Sequence, residues 1–292
     1  MFHQLSSLMK ATLYYGITLG LILLLALLGR GLGESILALA MFTPLAAVLL
    51  MQFVVTRDGI TRDGWRILGL HQFGLRTWGF AILAPFFVML CTYSLVWLTG
   101  IGRLDRVTLG TVIMLDGPAS ILQTIFIIVR GLIISALLAL GEEIGWRGYL
   151  LPHLLPLGRV RALLTSGFLH GIWHLPLMFL TPFYHTSGDR WSVTLLFLLT
   201  LTAAGVFYGY LRLTSNSVWP AALAHGAFNM YWTTFAAMTV AVTSIDVLEY
   251  GAGESGVITL IQVTLAAAWL IYRLQRQPGT KQMLRSATAD PS

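Results

Sequence analysis

The chain has 292 residues, of which 57% are hydrophobic and only 10% charged, against about 25% charged in soluble domains. Its single cysteine, Cys91, excludes an intrachain disulfide and a cysteine-rich zinc site. The net charge of +6 is read as loop charge that fixes orientation in a lipid bilayer rather than as a surface for nucleic acid.

Several apolar runs reach or approach the roughly 20 residues that cross a bilayer as a helix. Backbone groups in lipid must pair within helices or a closed barrel. The runs are continuous rather than alternating, which excludes the barrel. The fold class expected is therefore all-α: a polytopic membrane protein of about eight transmembrane helices.

The first run, 11–29, follows Lys10 and ends in RGLGES. It is longer than the roughly 7–15 residues of a signal-peptide core and reads as a retained first span. The next spans are expected at 34–55 and 78–98. The segment 99–123 mixes charge, glycine and proline and has room for an interfacial piece. The fourth span, 124–150, is the least regular, because Arg130 and the sequence GEEIGWR lie within it. Spans five to eight are expected at 162–180, 192–211, 217–238 and 255–272. Residues 1–272 thus form one membrane domain with a core at about 124–238. The tail 273–292 is polar and is expected to be disordered.

Of the 18 Lys and Arg residues, five (Arg30, Arg103, Arg106, Arg130 and Arg190) fall on one side of these spans, which leaves 13 on the side of the termini. That bias places both termini in the cytoplasm of a cell-membrane protein. The loop 239–254 carries Asp246, Glu249 and Glu254 but no Lys or Arg, which suits the outer side.

Ionisable groups inside a span cost roughly 2.5–3.5 kcal/mol on insertion scales, and this chain concentrates them in three places. In the fourth span, Glu143 and Arg147 are four apart on one helix face, with the glutamate on the favoured N-terminal side. Glu142 lies about 100° around the helix with no evident local partner. In the fifth, His170 and His174 share a face ahead of Pro176, a residue that breaks or kinks a helix. In the seventh, His225 and Asn229 share a face, and Gly226 lets another helix approach closely. Each pair has a plain alternative: a helix-end charge cluster, histidines bonded to backbone, or a packing helix with one amide bond. Three such pairs on three spans need a common destination that is not lipid. The economical reading is one polar cavity between helices 4, 5 and 7.

A carboxylate, imidazoles and a carboxamide, with no Ser or Cys nucleophile singled out, suit activation of water. Glu142 is the candidate general base. His174 would help hold the water, and His225 with Asn229 would donate to a developing oxyanion. The reaction class that fits is hydrolysis of an amide bond.

EEIGWR, HGIWHLP and HGAFN, in this order and spacing, resemble the CPBP family. This comprises the CAAX prenyl endopeptidases of the Rce1 type together with the bacteriocin-processing and immunity (Abi) homologues. The resemblance covers roughly Ala136 to Trp232. It implies a multi-span protease that depends on glutamate rather than metal, needs no cofactor, and has a cavity open to the cytoplasm. Its substrate would be a peptide or membrane protein. It also implies that Glu142 is the catalytic glutamate, Glu143 and Arg147 its supporting pair, and His174, His225 and Asn229 the other catalytic residues. One departure is His170, which stands where the family's second motif usually has an aromatic; it is assigned a supporting role.

Three other readings compete. A bacteriocin-immunity or scaffold protein would use the cavity for binding alone. A zinc-dependent hydrolase or a metal transporter would use Glu142, His170, His174 and His225 as ligands, although there is no HExxH motif. A proton-coupled transporter would be expected to show inverted repeats, and none is evident. The substrate, the oligomeric state and any prenyl group are not legible in the sequence.

Overall fold

The computed structural model describes residues 5–112 and 117–276. Residues 113–116, within the expected interfacial piece, and the tail from 277 on, with Lys281 and Arg285, lie outside them. Among the described residues, seven helices are long and apolar enough to cross a membrane. In chain order with the eighth they are α1 (Ser7–Leu28), α2 (Ser35–Val55), α3 (Leu75–Leu98), α4 (Ala119–Leu157), α5 (Arg159–Leu180), α6 (Arg190–Ser215), α7 (Trp219–Ala237) and α8 (Val257–Arg276). The all-α polytopic fold is as expected.

The helix outside the seven is α7, the expected seventh span. His225, Asn229 and its hydroxyl-bearing residues make it less apolar, yet His225 and the residues around it are buried inside the bundle. Helix α8 runs to Arg276, so residues 273–276, expected in the tail, are helical.

Tight connections fix the order of the helices. Gly158, with φ of 91°, joins α4 to α5, and Asn216, in the left-handed region at φ of 52°, ends α6 three residues before α7. At the other end, Asp189 caps α6 by accepting from the Ser192 N–H at 2.9 Å. Eight passages bring residues 5–6, 56–74, 158 and 216–218 to the face where the described chain begins and ends. Residues 29–34, 99–112, 181–189 and 238–256 lie on the opposite face. There β1 (Gly102–Leu104) pairs antiparallel with β2 (Thr239–Ala241), Gly102 opposite Ala241, and laces two loops together. On the first face Lys10 and Asp58 form an ion pair at 2.7 Å.

Within lipid, helices gain little from hydrophobic burial against one another, so close backbone approach and interhelical bonds hold them. Two glycine contacts bring the site helices together. A Cβ on Gly226 of α7 would fall against the backbone of Ser135 and Ala136 in α4. One on Gly167 of α5 would sit 2.7 Å from the Thr202 carbonyl oxygen of α6, and Gly205 faces Gly167 in the same crossing.

Gly226→Ala is therefore expected to force α4 and α7 apart and to destabilise the protein by about 1–3 kcal/mol, the usual range for overpacking. Gly20→Ala, where an added Cβ meets nothing within 4 Å, is the control. Thermal unfolding in detergent checks this; equal behaviour of the two variants would rule the close approach out as a constraint.

Candidate active site

Glu142 and Glu143 end the α-helical part of α4, and the next seven residues, Ile144–Leu150, form a fully buried π-helical turn. Such turns are rare and recur at functional sites. Consecutive helical residues project about 100° apart, so adjacent glutamates address different neighbours. Glu142 Oε2 meets His170 Nε2 of α5 at 2.7 Å. Glu143 Oε1 accepts from Arg147 at 2.8 Å and meets His225 Nδ1 of α7 at 2.9 Å. The missing partner of Glu142 is thus a histidine on another helix, which local spacing does not reveal.

Proton positions follow from donor inventory. Arginine has donors only, and Arg147 lies 3.3 Å from His170 Nδ1. That nitrogen therefore accepts, and His170 Nε2 carries the proton given to Glu142. His174 Nδ1 meets the His170 carbonyl at 3.0 Å; a carbonyl only accepts, so Nδ1–H donates and a neutral His174 keeps its lone pair on Nε2. His225 Nδ1–H likewise donates to the Glu143 carboxylate and leaves Nε2 for another contact.

The buried charges are enclosed. Arg147 and Glu143 are completely buried. The guanidinium lies 5.0 Å from the Tyr208 ring centroid, a cation–π contact, and Tyr208 stacks on His225 with centroids 5.4 Å apart. Trp146 packs on His170 at 5.0 Å. Arg212 donates to the Arg147 carbonyl at 3.1 Å and to that of Ile67 at 2.7 Å, which ties the π-helical turn to the loop after α2. His174 sits where α5 breaks ahead of Pro176 and stacks on Tyr184 at 5.5 Å.

A cavity of about 270 Å³ has Glu142, His174, His225 and Asn229 in its wall. His170, Glu143 and Arg147 stand behind that wall. Leu37 and Met41 of α2, with Tyr184, Trp232 and Glu254, are also among the lining residues. The Asn229 Oδ1 is buried and takes no hydrogen bond from the protein. The ladder of rings His174–His170–His225, with successive centroids 5.1 and 5.7 Å apart, shows that the unequal depths suggested by residue counting (roughly 12 Å for His225 against 18 Å for His174 at 1.5 Å per residue) do not separate them.

Glu142, His170 and His174 offer ligand atoms within 4.8 Å of one another, so a metal deserves a test on their chemistry. A metal needs the lone pair of His170 Nε2, which would move the proton to Nδ1 and point it at an N–H of Arg147. The hydrogen-bonding set therefore does not fit a cation. Sequence reasoning did not find Tyr184, Tyr208, Trp146 or Arg212, because aromatic and basic residues carry no motif of their own; Glu254 was visible only as an acid in an outer loop.

Residues 121–231 match the family described as type II CAAX prenyl endopeptidase Rce1-like. The match runs from within α4 to within α7 and takes in all seven candidate residues. No curated protein matches the chain.

The geometry predicts unequal costs for two similar substitutions. Glu143→Gln removes the counter-ion of a fully buried arginine and is expected to cost about 3–5 kcal/mol. Glu142→Gln keeps an acceptor for the neutral His170 and is expected to cost about 1 kcal/mol or less. Unfolding of the two variants in detergent decides; equal losses would contradict the separation of a closed ion pair from a cavity-facing carboxyl group.

Proposed function

We propose that this Rce1-like chain is a membrane-embedded endopeptidase that hydrolyses a peptide bond with water activated by Glu142, without a metal. The observation that carries this reading is the split of the two glutamates: Glu143 is consumed by Arg147 and His225, while Glu142 lines the cavity together with His174, His225 and Asn229.

A water held between Glu142 and the free Nε2 of His174 gives its proton to Glu142 as its oxygen bonds to the substrate carbonyl carbon. The carbonyl oxygen becomes an oxyanion. The Asn229 amide and, in its imidazolium form, His225 Nε2–H donate to it, with Glu143 as the counter-ion. Collapse breaks the C–N bond, and Glu142 returns the proton to the leaving amine. His170 orients Glu142, and Arg147 fixes the tautomer of His170. The intact set of water-activating groups favours this over pure binding by an immunity or scaffold protein.

Tyr184 and Glu254, in the cavity wall, belong to loops on the face away from the termini. The basic bias places the termini in the cytoplasm. These loops favour an opening on the face away from the termini over the cytoplasmic opening that the family resemblance implied. We take the charge distribution as the stronger constraint and place the mouth towards the outer leaflet, with a substrate presented from that side.

Cleavage of a peptide library by purified protein, read by mass spectrometry, tests the chemistry. Glu142→Gln is expected to reduce the rate by about 10²–10⁴-fold, the range for a general base, and Asn229→Ala by about 10²–10³-fold, as for an oxyanion donor. A strong chelator is expected to change nothing; loss with chelator would return the metal reading.

Labelling tests the orientation. In a Cys91→Ala background, Thr186→Cys is expected to react with an impermeant maleimide on intact cells, and Asp63→Cys only after lysis. The reverse pattern would return the cavity to the cytoplasm.

A further inference from the structure

A second polar group reaches the cavity from outside the family match. Glu254, in the turn before α8, is buried yet lines the same cavity as Glu142. Its Oε2 accepts from the Tyr184 hydroxyl at 2.6 Å. His185 is shared between two acids: Nδ1 meets Glu249 Oε1 at 2.7 Å, whereas Nε2 stands 3.5 Å from Glu254 Oε2 and makes no hydrogen bond. Glu249 is also held by the Ser255 hydroxyl at 2.6 Å.

Charge arithmetic then leaves a surplus. One imidazolium faces two carboxylates, so the cluster keeps one net negative charge, and its weaker contact is on Glu254, the member in the cavity wall. No Lys or Arg is among the described residues lining that cavity. Burial pushes the Glu254 carboxyl up, but the charge of His185 and the Tyr184 hydroxyl outweigh it and hold it below the usual carboxylate range. An uncompensated charge in a site of low polarity interacts far more strongly with an incoming opposite charge than it would in water.

We propose that Glu254 is a specificity residue: it receives a cationic group of the substrate, a lysine or arginine side chain or a free amine, and so selects basic peptides for the cavity that holds Glu142. The proposal rests on the endopeptidase reading for the cleavage that follows, but not for the binding. Glu254 thereby sets the position of the chain relative to the scissile bond, with Tyr184 linking it to the ring of His174.

Binding separates this inference from the chemistry. Glu142→Gln serves as a trap that binds without turnover, and a fluorescent lysine-containing peptide is compared with its norleucine counterpart by anisotropy. The lysine peptide is expected to bind about tenfold or more tightly, as close buried charge pairs do, and the added Glu254→Gln is expected to remove the difference while the norleucine peptide is unaffected. Equal binding of the two peptides to the trap would overturn the proposal without involving any Glu254 variant. A Glu254→Gln effect that is the same for both peptides would reduce Glu254 to a structural prop, and Glu254→Asp, which keeps the charge, is expected to retain the preference. Discrimination in binding with no cleavage by the unsubstituted protein would leave this inference standing and remove the endopeptidase reading.

Discussion

A guanidinium buried inside a membrane protein must find its counter-charge and its hydrogen-bond acceptors within the bundle. Arg147 finds Glu143 one turn away on its own helix at 2.8 Å, His170 Nδ1 on α5 at 3.3 Å, and the face of Tyr208 on α6 at 5.0 Å. Glu143 extends the same network to His225 on α7. Four helices are thus bound through one ion pair. Removing either member would leave the other charged and unpaired, which is why such a pair constrains the structure more than it stabilises it. Among the described residues the Arg147 Nε and NH2, and Glu143 Oε2, lack hydrogen-bond partners, so the pair is enclosed without being fully satisfied, a state that ring contacts with Tyr208 soften.

The catalytic proposal depends on that enclosure. Arg147 settles the tautomer of His170, and His170 in turn presents a proton to Glu142 rather than a lone pair. The α5 backbone does the same for His174, whose Nδ1–H is taken by the His170 carbonyl. Every imidazole in the row therefore has one nitrogen committed to the scaffold, and His174 and His225 each keep one free. Glycine contacts make the distances possible: Gly226 against α4 and Gly167 against α6 bring backbones closer than any side chain would allow.

Much of this was legible in the sequence because charge in an apolar run is conspicuous. The i,i+4 pair Glu143–Arg147 followed from helix geometry, and so did the shared faces of His170 with His174 and of His225 with Asn229. What spacing within one helix cannot supply is the pairing between helices: that Glu142 bonds His170, or that Glu143 bonds His225 at a separation of 82 positions. The seven-residue π-helical turn was equally hidden, since nothing in the spacing of IGWRGYL marks a π turn. Helix α7 shows the cost of reading hydropathy alone: its polar residues lower its apolar signal because they face the interior.

The outer loops give the cavity a wall that the motif-bearing helices do not contain. His185 adopts a left-handed backbone at φ of 48°, a conformation rare for a residue with a side chain and one that needs support from its surroundings. The support is visible: Glu249 and Glu254 on one side, and Trp232 stacked parallel to the imidazole on the other at 6.0 Å. Burial opposes the charge on His185, but its hydrogen bond to Glu249 and the nearby carboxylate of Glu254 outweigh burial and raise its pKa to about 9. Because this value lies above the ordinary one near 6.5, the ion pair contributes fully below that value and is lost only as pH rises through about 9. At neutral pH the loops 181–189 and 244–256 are therefore joined beside the cavity, and the charge left over from that junction sits where a substrate would pass. The same contact that joins these outer loops thus leaves Glu254, the more weakly paired acid, in the cavity wall.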